Sequence, residues 1–439
     1  MFINRKKEIE ALDREYEQKK ATFSVVYGRR RVGKTALIEE FIRDKTAIYL
    51  YMTQGSLRSQ LESFTKQLGA FVEKSIAPHL HFATLEEAIS FLATLKTEKK
   101  LVFVIDEYQY LVQQDKTFSS KLQKIWDREL SKTNIHLILC GSVLSMIQSE
   151  VLNYSAPLYG RRTSQFHIKP VAFEYIKSFV PHATKEQQVL IYSSFGTIPK
   201  YLNEYDDSLS FIENIEQKIL NKNSYLYNEG NFLLKEEIIE SASYFSILES
   251  IARGNRKIGH IASSLGVNSS YLSKYMLKLI ELDIVEKEVP ITEKNPLKSK
   301  MGLYKIKDKF LHFWFYYVYK NYSYLEIEQT KVVLDEIAKN FNDKFVSFAF
   351  EDIILEDILQ HPQRYLPFVP KKIGRWWNNK EEIDIVAYDD NRIAFFECKW
   401  QNSVHKEQVK QQLMHKALSL TQGKEAYYYV ITKKDYLSV

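Results

Sequence analysis

Short apolar runs without polar alternation recur through the first third of the chain, at residues 23 to 27, 46 to 52, 101 to 105 and 135 to 140, separated by stretches of helical spacing. Leu101-Val102-Phe103-Val104-Ile105 has the composition of a strand buried on both faces. The alternation predicts an α/β architecture, a parallel sheet covered by helices on both sides. Ahead of it, Ile9, Leu12 and Tyr16 fall three and four apart among charged neighbours, so a helix within residues 5 to 20 leads into the first strand. From about residue 240 the period shortens. Ile247, Leu248 and Ile251 form one apolar face; Ile258, Ile261, Ala262 and Leu265 form a second; Leu272, Met276, Leu279 and Leu282 form a third. The Gly266-Val267-Asn268 turn, with Asn268 as N-cap, predicts a helix-turn-helix, and the runs 284 to 289 and 302 to 306 bracket a polar loop like the wing of a winged helix. Phe341 to Leu359 is helical again. Glu381 to Ala387 and Arg392 to Lys399 then read as two strands joined by an Asp389-Asp390-Asn391 turn.

At 439 residues the chain has room for roughly two to four domains, and 45% hydrophobic with 26% charged residues exclude a disordered chain. The 29 Tyr and 26 Phe point to large packed surfaces. Only Cys140 and Cys398 occur, far apart in apolar runs, so neither a disulfide framework nor a zinc site is expected and a reducing cytoplasm fits. No apolar run approaches the ~20 residues needed to span a bilayer, and no secretory signal is expected at the N-terminus. The aromatic segment Phe310 to Tyr319 is bounded by lysines and reads as a buried helix. A net charge of +6 imposes no global basic field, so any nucleic-acid contact must rest on a local patch. Between 293 and 309 six lysines face only Glu293 and Asp308, a plausible phosphate-contacting wing. Ser269, Ser270, Ser273 and Lys274 would face the groove if the helix-turn-helix reads DNA; packing or regulation is the alternative.

The strongest chemistry is Gly28-Arg29-Arg30-Arg31-Val32-Gly33-Lys34-Thr35, a GxxxxGKT loop between the first apolar run and a helical pattern. Backbone N–H groups of such a loop and the following helix N-terminus converge on one small volume that suits a polyphosphate. Lys34 would reach the β and γ phosphates of ATP, and Thr35 would help to coordinate Mg2+. The run 101 to 105 ends in Asp106-Glu107, where Asp106 would hold Mg2+ through water and Glu107 would orient or deprotonate the attacking water. The next run ends in Gly141-Ser142. The Ser142 hydroxyl would either touch the γ-phosphate or attacking water, or cap the following helix. Arg161 or Arg162, just before the run Ser164 to Ile168, would stabilise phosphate charge in cis or on a neighbouring subunit, or form a structural salt bridge.

Together Phe2-Ile3-Asn4-Arg5-Lys6-Lys7-Glu8, the GRRRVGKT loop, IDEYQYL from Ile105 to Leu111, Gly141-Ser142 and LYGR from Leu158 to Arg161 resemble the archaeal-type ATPase family, in the STAND-like branch of the AAA+ superfamily. The run Gly196-Thr197-Ile198-Pro199-Lys200-Tyr201-Leu202 resembles the GGxPxYL signature of that family's helical lid, with Phe195 in place of the first glycine. The resemblance implies a P-loop AAA+ parallel sheet with a helical lid, and favours Arg161 over Arg162.

Near the C-terminus, residues 397 and 399 share one face of their strand, so Glu397 and Lys399 face one site and Asp384 can approach from the adjacent strand. Two carboxylates and a lysine would hold a divalent cation and position a water. The D…ExK arrangement resembles the PD-(D/E)XK nuclease fold, with Ile383 where a proline would precede Asp384. The resemblance implies Asp384, Glu397 and Lys399 as the catalytic set, Glu351 as an accessory metal ligand, Mg2+ or Mn2+ as the ion, and Gln408 or Gln411 in support. A charged hairpin or a degenerate nuclease-like domain is the alternative.

The expected organisation is a P-loop AAA+ ATPase core over 1–168, a helical lid over 169–236, a winged helix-turn-helix module over 237–325 and a small α/β restriction-endonuclease-like domain over 326–439. It implies ATP hydrolysis controlling a DNA nuclease, with possible homo-oligomers and no membrane partner. The competing expectation is an ATP-gated regulatory or scaffold protein that binds nucleic acid or protein without cutting.

Overall fold

The computed structural model describes residues 3–237 and 241–438, which leaves Phe2 of the N-terminal motif outside the described residues. The chain divides after Val171 into two compact units.

In the first unit, β1 (Thr22–Tyr27), β2 (Ala47–Tyr51), β3 (Leu101–Asp106), β4 (Ile135–Gly141) and β5 (Ser164–His167) form one sheet in the order β2-β3-β4-β1-β5. Every pairing is parallel. Successive residues of β3 serve opposite cores, which explains its unbroken apolar run. Phe103 and Ile105 pack with Phe64, Ile89, Leu122 and Trp126 on one face. Val102 and Val104 pack with Leu12, Leu37, Ile38 and Phe41 on the other, beneath the helices Lys6–Tyr16 and Lys34–Ile42. The N-terminal helix lies within the expected residues 5 to 20 and carries Ile9, Leu12 and Tyr16. Register then positions the chemistry: Tyr27 pairs with Gly141 and Ile105 with Leu139, so Gly28, Asp106 and Ser142 emerge at the same carboxyl end of the sheet.

Polar groups also cross this core. The ring Nε2 of His136 lies 2.8 Å from Ser24 Oγ, which lies 2.7 Å from Ser164 Oγ, a relay across β4, β1 and β5. Burial, reinforced by Lys100 and Lys45, lowers the His136 pKa to about 3.

The second unit is helical before it becomes a sheet. Thr184 closes a capping box at the start of the helix Lys185–Phe195. Phe195, in place of the signature's first glycine, is fully buried against the Tyr205 ring. The helices Ser241–Ala252, Ile258–Leu265 and Ser269–Glu281 follow, and the Asn268 side chain accepts the Tyr271 N–H. The strands β6 (Val285–Glu288) and β7 (Leu303–Ile306) pair antiparallel. The aromatic segment begins as an α-helix at Lys309–Phe313, widens to a π turn over Trp314–Val318 and buries Phe310, Phe313, Trp314, Phe315 and Tyr317. No helix among the described residues is long and apolar enough to cross a membrane.

A second sheet follows, β8 (Lys372–Trp377), β9 (Glu382–Tyr388), β10 (Arg392–Lys399) and β11 (Glu425–Thr432), in the order β11-β10-β9-β8. The expected hairpin is β9–β10, its turn fastened by Asp389 Oδ1, which accepts the N–H groups of Asn391 and Arg392. Two strands go beyond the sequence reading: β8 pairs antiparallel with β9, and β11 returns parallel to β10 after the helix Lys406–Thr421.

His312 in the second unit is likewise lowered, to about 4, by burial and then by Lys309. An unfolded histidine binds a proton below about pH 6.5, whereas these two folded rings stay neutral, so stability present above that pH is lost on acidification toward pH 3 to 4. Denaturant unfolding at pH 5 should show a loss on the order of 2 kcal/mol per histidine relative to pH 7, and His136→Gln and His312→Gln should each flatten that slope.

Candidate functional site

The phosphate loop is shaped by a close approach that only glycine permits. A Cβ on Gly28 would lie 2.2 Å from the Ile168 carbonyl oxygen. Arg5 fastens the loop from outside, its Nη2 donating to the carbonyls of Val32 at 3.1 Å and Lys169 at 2.5 Å. Arg29 and Val32 are buried, Arg30, Arg31 and Gly33 partly so, and Arg30 Nη2 donates to Tyr110 Oη at 3.1 Å. Lys34 is buried inside the loop, its Nζ donating to the carbonyls of Gly28 and Arg29, each at 2.9 Å. Desolvation lowers its pKa, against the pull of the anionic groups around it, and leaves a cation with little water to give up to a phosphate.

Thr35 Oγ1 donates to Asp106 Oδ2 at 3.0 Å, which brings the loop's hydroxyl to the end of β3. Tyr49 Oη donates to the same oxygen at 2.6 Å, and burial together with Asp106 pushes this phenol far above its ordinary range. The Glu107 backbone N–H bonds Asp106 Oδ1 at 2.8 Å, and its φ of 54° places the residue in the left-handed region. Ser142 Oγ donates to Glu107 Oε2 at 2.9 Å. Ser142 is not a helix cap, because Val143 holds the N-cap position of the helix Leu144–Ile147. Sequence reasoning missed Tyr49 and Gln109, which bonds both Glu107 and Ser142.

Lys34, Thr35, Asp106, Glu107 and Ser142 therefore form one cluster. Arg161 is engaged elsewhere: its Nη2 and Nε lie 3.0 and 3.3 Å from the two carboxylate oxygens of Asp127. Arg162 donates to the Val151 carbonyl and lies over the Tyr159 ring.

A second carboxylate cluster lies on β9 and β10. Lys399 Nζ donates to Glu397 Oε1 at 2.8 Å, and the Cys398 N–H donates to Asp384 Oδ2 at 2.7 Å. Burial, then Glu351 and Glu397, raises the Asp384 pKa to about 8. Burial works against the charge on Lys399, but Glu397 carries its pKa upward. From the following helix it is Lys416 that enters, 3.4 Å from both Glu397 oxygens, whereas Gln408 and Gln411 are exposed. Glu351 is paired with Arg375. Among the described residues no three His, Cys, Asp or Glu side chains converge closely enough to hold a metal ion.

Arg375 also bonds Asp352 at 2.7 Å and approaches Glu288 at 3.5 Å. Lys305 pairs with Glu288, Glu286 and Asp352, and Lys309 with Asp352. This corrects the basic wing. Of its six lysines, Lys305, Lys307 and Lys309 are bound to carboxylates, Lys307 to Asp283, and only Lys294, Lys298 and Lys300 are exposed. Ser269, Ser270, Ser273 and Lys274 are all exposed.

A five-stranded parallel sheet with a GKT loop after β1 and acidic residues ending β3 is a P-loop ATPase fold. Residues 2–205 match a family described as an ATPase domain predominantly from Archaea, and residues 314–412 match one described as archaeal and bacterial proteins of unknown function. An uncharacterized protein of Methanocaldococcus jannaschii is 34% identical over 440 residues, covering 99% of this chain and 96% of its own length. An uncharacterized ATP-binding protein of the same organism is 53% identical over 45 residues, 10% of this chain and 76% of its own. The chain belongs to the archaeal-type P-loop ATPase family. Among solved structures, a Walker-type ATPase of Pyrococcus abyssi is similar at TM-score 0.49 and 19% identity, covering 71% of this chain and 95% of that one. The ORC2 protein of Aeropyrum pernix is similar at TM-score 0.45 and 15% identity, covering 77% and 96%.

Removing Arg375 leaves Glu351, Asp352 and Glu288 without their shared cation in a desolvated place. Arg375→Met should destabilise the second unit by about 3–5 kcal/mol in urea unfolding, and an unchanged midpoint would remove Arg375 from that role.

Proposed function

We propose that this protein hydrolyses ATP with Mg2+ at the phosphate loop and that turnover there governs a nucleic-acid-directed activity of the second unit. The observation that carries the first half is the 3.0 Å contact between Thr35 Oγ1 and Asp106 Oδ2 beside the buried Lys34 ammonium. A hydroxyl and a strand-end carboxylate sharing one point, next to a glycine cradle, fit Mg2+ and a polyphosphate. The ion, held by Thr35 and Asp106, would neutralise charge on the phosphate oxygens. Lys34 exchanges its two carbonyl partners for phosphate oxygens. Glu107 accepts the proton of the attacking water, and the Ser142 hydroxyl lies within reach of the same water. Arg161 takes part by leaving Asp127, in cis or toward a second copy. Glu107→Gln should lower kcat on the order of 10²–10³-fold while ATP still binds. Full activity in a steady-state phosphate-release assay would remove Glu107 as the base.

For the second unit we propose a winged helix-turn-helix module followed by a nuclease-like domain. The three helices leading into the β6–β7 pair support the former, with the exposed Ser269, Ser270, Ser273 and Lys274 available to a duplex. Asp384, Glu397 and Lys399 on adjacent strands support the latter. A buried carboxyl raised by neighbouring carboxylates is relieved when Mg2+ or Mn2+ joins it, so Asp384 and Glu397 fit such an ion, with Glu351 available only once released by Arg375. Lys399 then stabilises phosphate charge. The pairing of Glu351 and Glu397 with internal cations favours a second reading, ATP-gated binding of nucleic acid or protein without cutting. Lys399→Ala decides between them. Under the nuclease reading it abolishes metal-dependent DNA degradation and spares ATP hydrolysis; wild-type protein that degrades neither DNA nor RNA with either metal leaves only the binding reading.

A further inference from the structure

Gln109 opens the helix Gln109–Gln114 directly after the acidic end of β3, and its side chain is fully buried. Both ends of its carboxamide are bonded within the site. Nε2 donates to Glu107 Oε2 and, at 3.0 Å, to Ser142 Oγ; Oε1 accepts the Ser142 backbone N–H at 3.3 Å. Ser142 Oγ in turn donates to the same Glu107 oxygen at 2.9 Å, closing a ring of three side chains from the ends of β3 and β4. Room for the carboxamide is built into β4. A Cβ on Gly141 would come within 3.1 Å of Gln109 Oε1 and 2.6 Å of Ile147 Cδ1. Glu107 itself sits at a φ of 54°, a backbone that an unbranched polar residue keeps only where its surroundings hold it.

A buried amide could satisfy its donors on any nearby carbonyl. This one is bonded instead to the carboxylate and the hydroxyl whose separation matters for hydrolysis. We propose that Gln109 is a positioning residue for ATP hydrolysis: with Ser142 it occupies Glu107 Oε2, so that Oε1 is the oxygen presented to the attacking water. Being neutral, the carboxamide fixes the carboxylate without pairing it with a cation. The inference rests on Glu107 as the base.

The test uses the full-length protein and four readouts: kcat, KM for ATP, the pH profile of kcat, and affinity for a fluorescent non-hydrolysable ATP analogue. Gln109→Leu should lower kcat on the order of 10²-fold with nucleotide affinity unchanged. Gln109→Glu, which nearly preserves shape, sets a second carboxylate beside Glu107 and should move the acidic limb of kcat up by about one pH unit. The double variant Gln109→Leu/Glu107→Gln should be no slower than Glu107→Gln alone, because both act through one group. Wild-type kcat in Gln109→Leu, or a loss of nucleotide affinity equal to the loss of kcat, overturns the proposal. Where Gln109→Leu does not fold, Gln109→Asn decides: its shorter amide no longer reaches Glu107, and wild-type kcat overturns the proposal. Wild-type hydrolysis in Glu107→Gln overturns the base assignment as well, which separates the two failures.

Discussion

The parallel hydrogen-bond ladder that aligns β1, β4 and β3 is the constraint on which the first unit depends. The contacts that join the loop to β3, and β3 to β4, would not form without it. Thr35 and Asp106 are 71 residues apart, Gln109 and Ser142 33 apart, and each pair is joined only because its strands stop at the same level. The ladder is stable because both faces of the sheet are covered, so its backbone bonds form away from competing water. The apolar residues of β3 and β4 thus do more than fill a core; they fix where polar groups begin.

Burial then sets the chemistry. Lys34, Asp106 and Ser142 are nearly inaccessible, and in such a setting each polar group must find a partner. Lys34 finds the carbonyls of Gly28 and Arg29, Asp106 the hydroxyls of Thr35 and Tyr49, and Ser142 the side chains of Glu107 and Gln109, so the site is poised by its own hydrogen bonds. The second unit applies the same rule to stronger charges. Arg375, Lys305 and Lys309 gather Glu288, Glu351 and Asp352 from two separate parts of the chain, and their mutual attraction offsets a large desolvation cost.

The sheet of the first unit and its phosphate loop were legible because their signals are local: unbroken apolar runs, GKT, and Asp106-Glu107 at a strand end. The β9–β10 hairpin and the parity of Glu397 and Lys399 were legible for the same reason. Gln109 was not, since a glutamine inside an apparent helix start carries no sign of a partner across the sheet. The wing lysines misled because charge counts ignore pairing: Asp352, which binds two of them, lies far along the chain. Edge strand β8 contains a glycine and two tryptophans, and β11 three consecutive tyrosines, so neither shows plain apolar–polar alternation. Lys416 escaped notice because a lysine on an exposed helix ordinarily belongs to solvent.

The parallel return of β11 to β10 carries a consequence for how the second sheet comes into being. Until residues 425–432 have been synthesised and have crossed over, β10 is an edge, and its apolar stretch Ile393-Ala394-Phe395-Phe396 presents unpaired backbone to any neighbouring chain. A chain interrupted before Glu425 therefore loses more than a strand. It exposes a sticky template, and Glu397 and Lys399 at the end of β10 become gatekeepers against aggregation in a nascent or truncated protein.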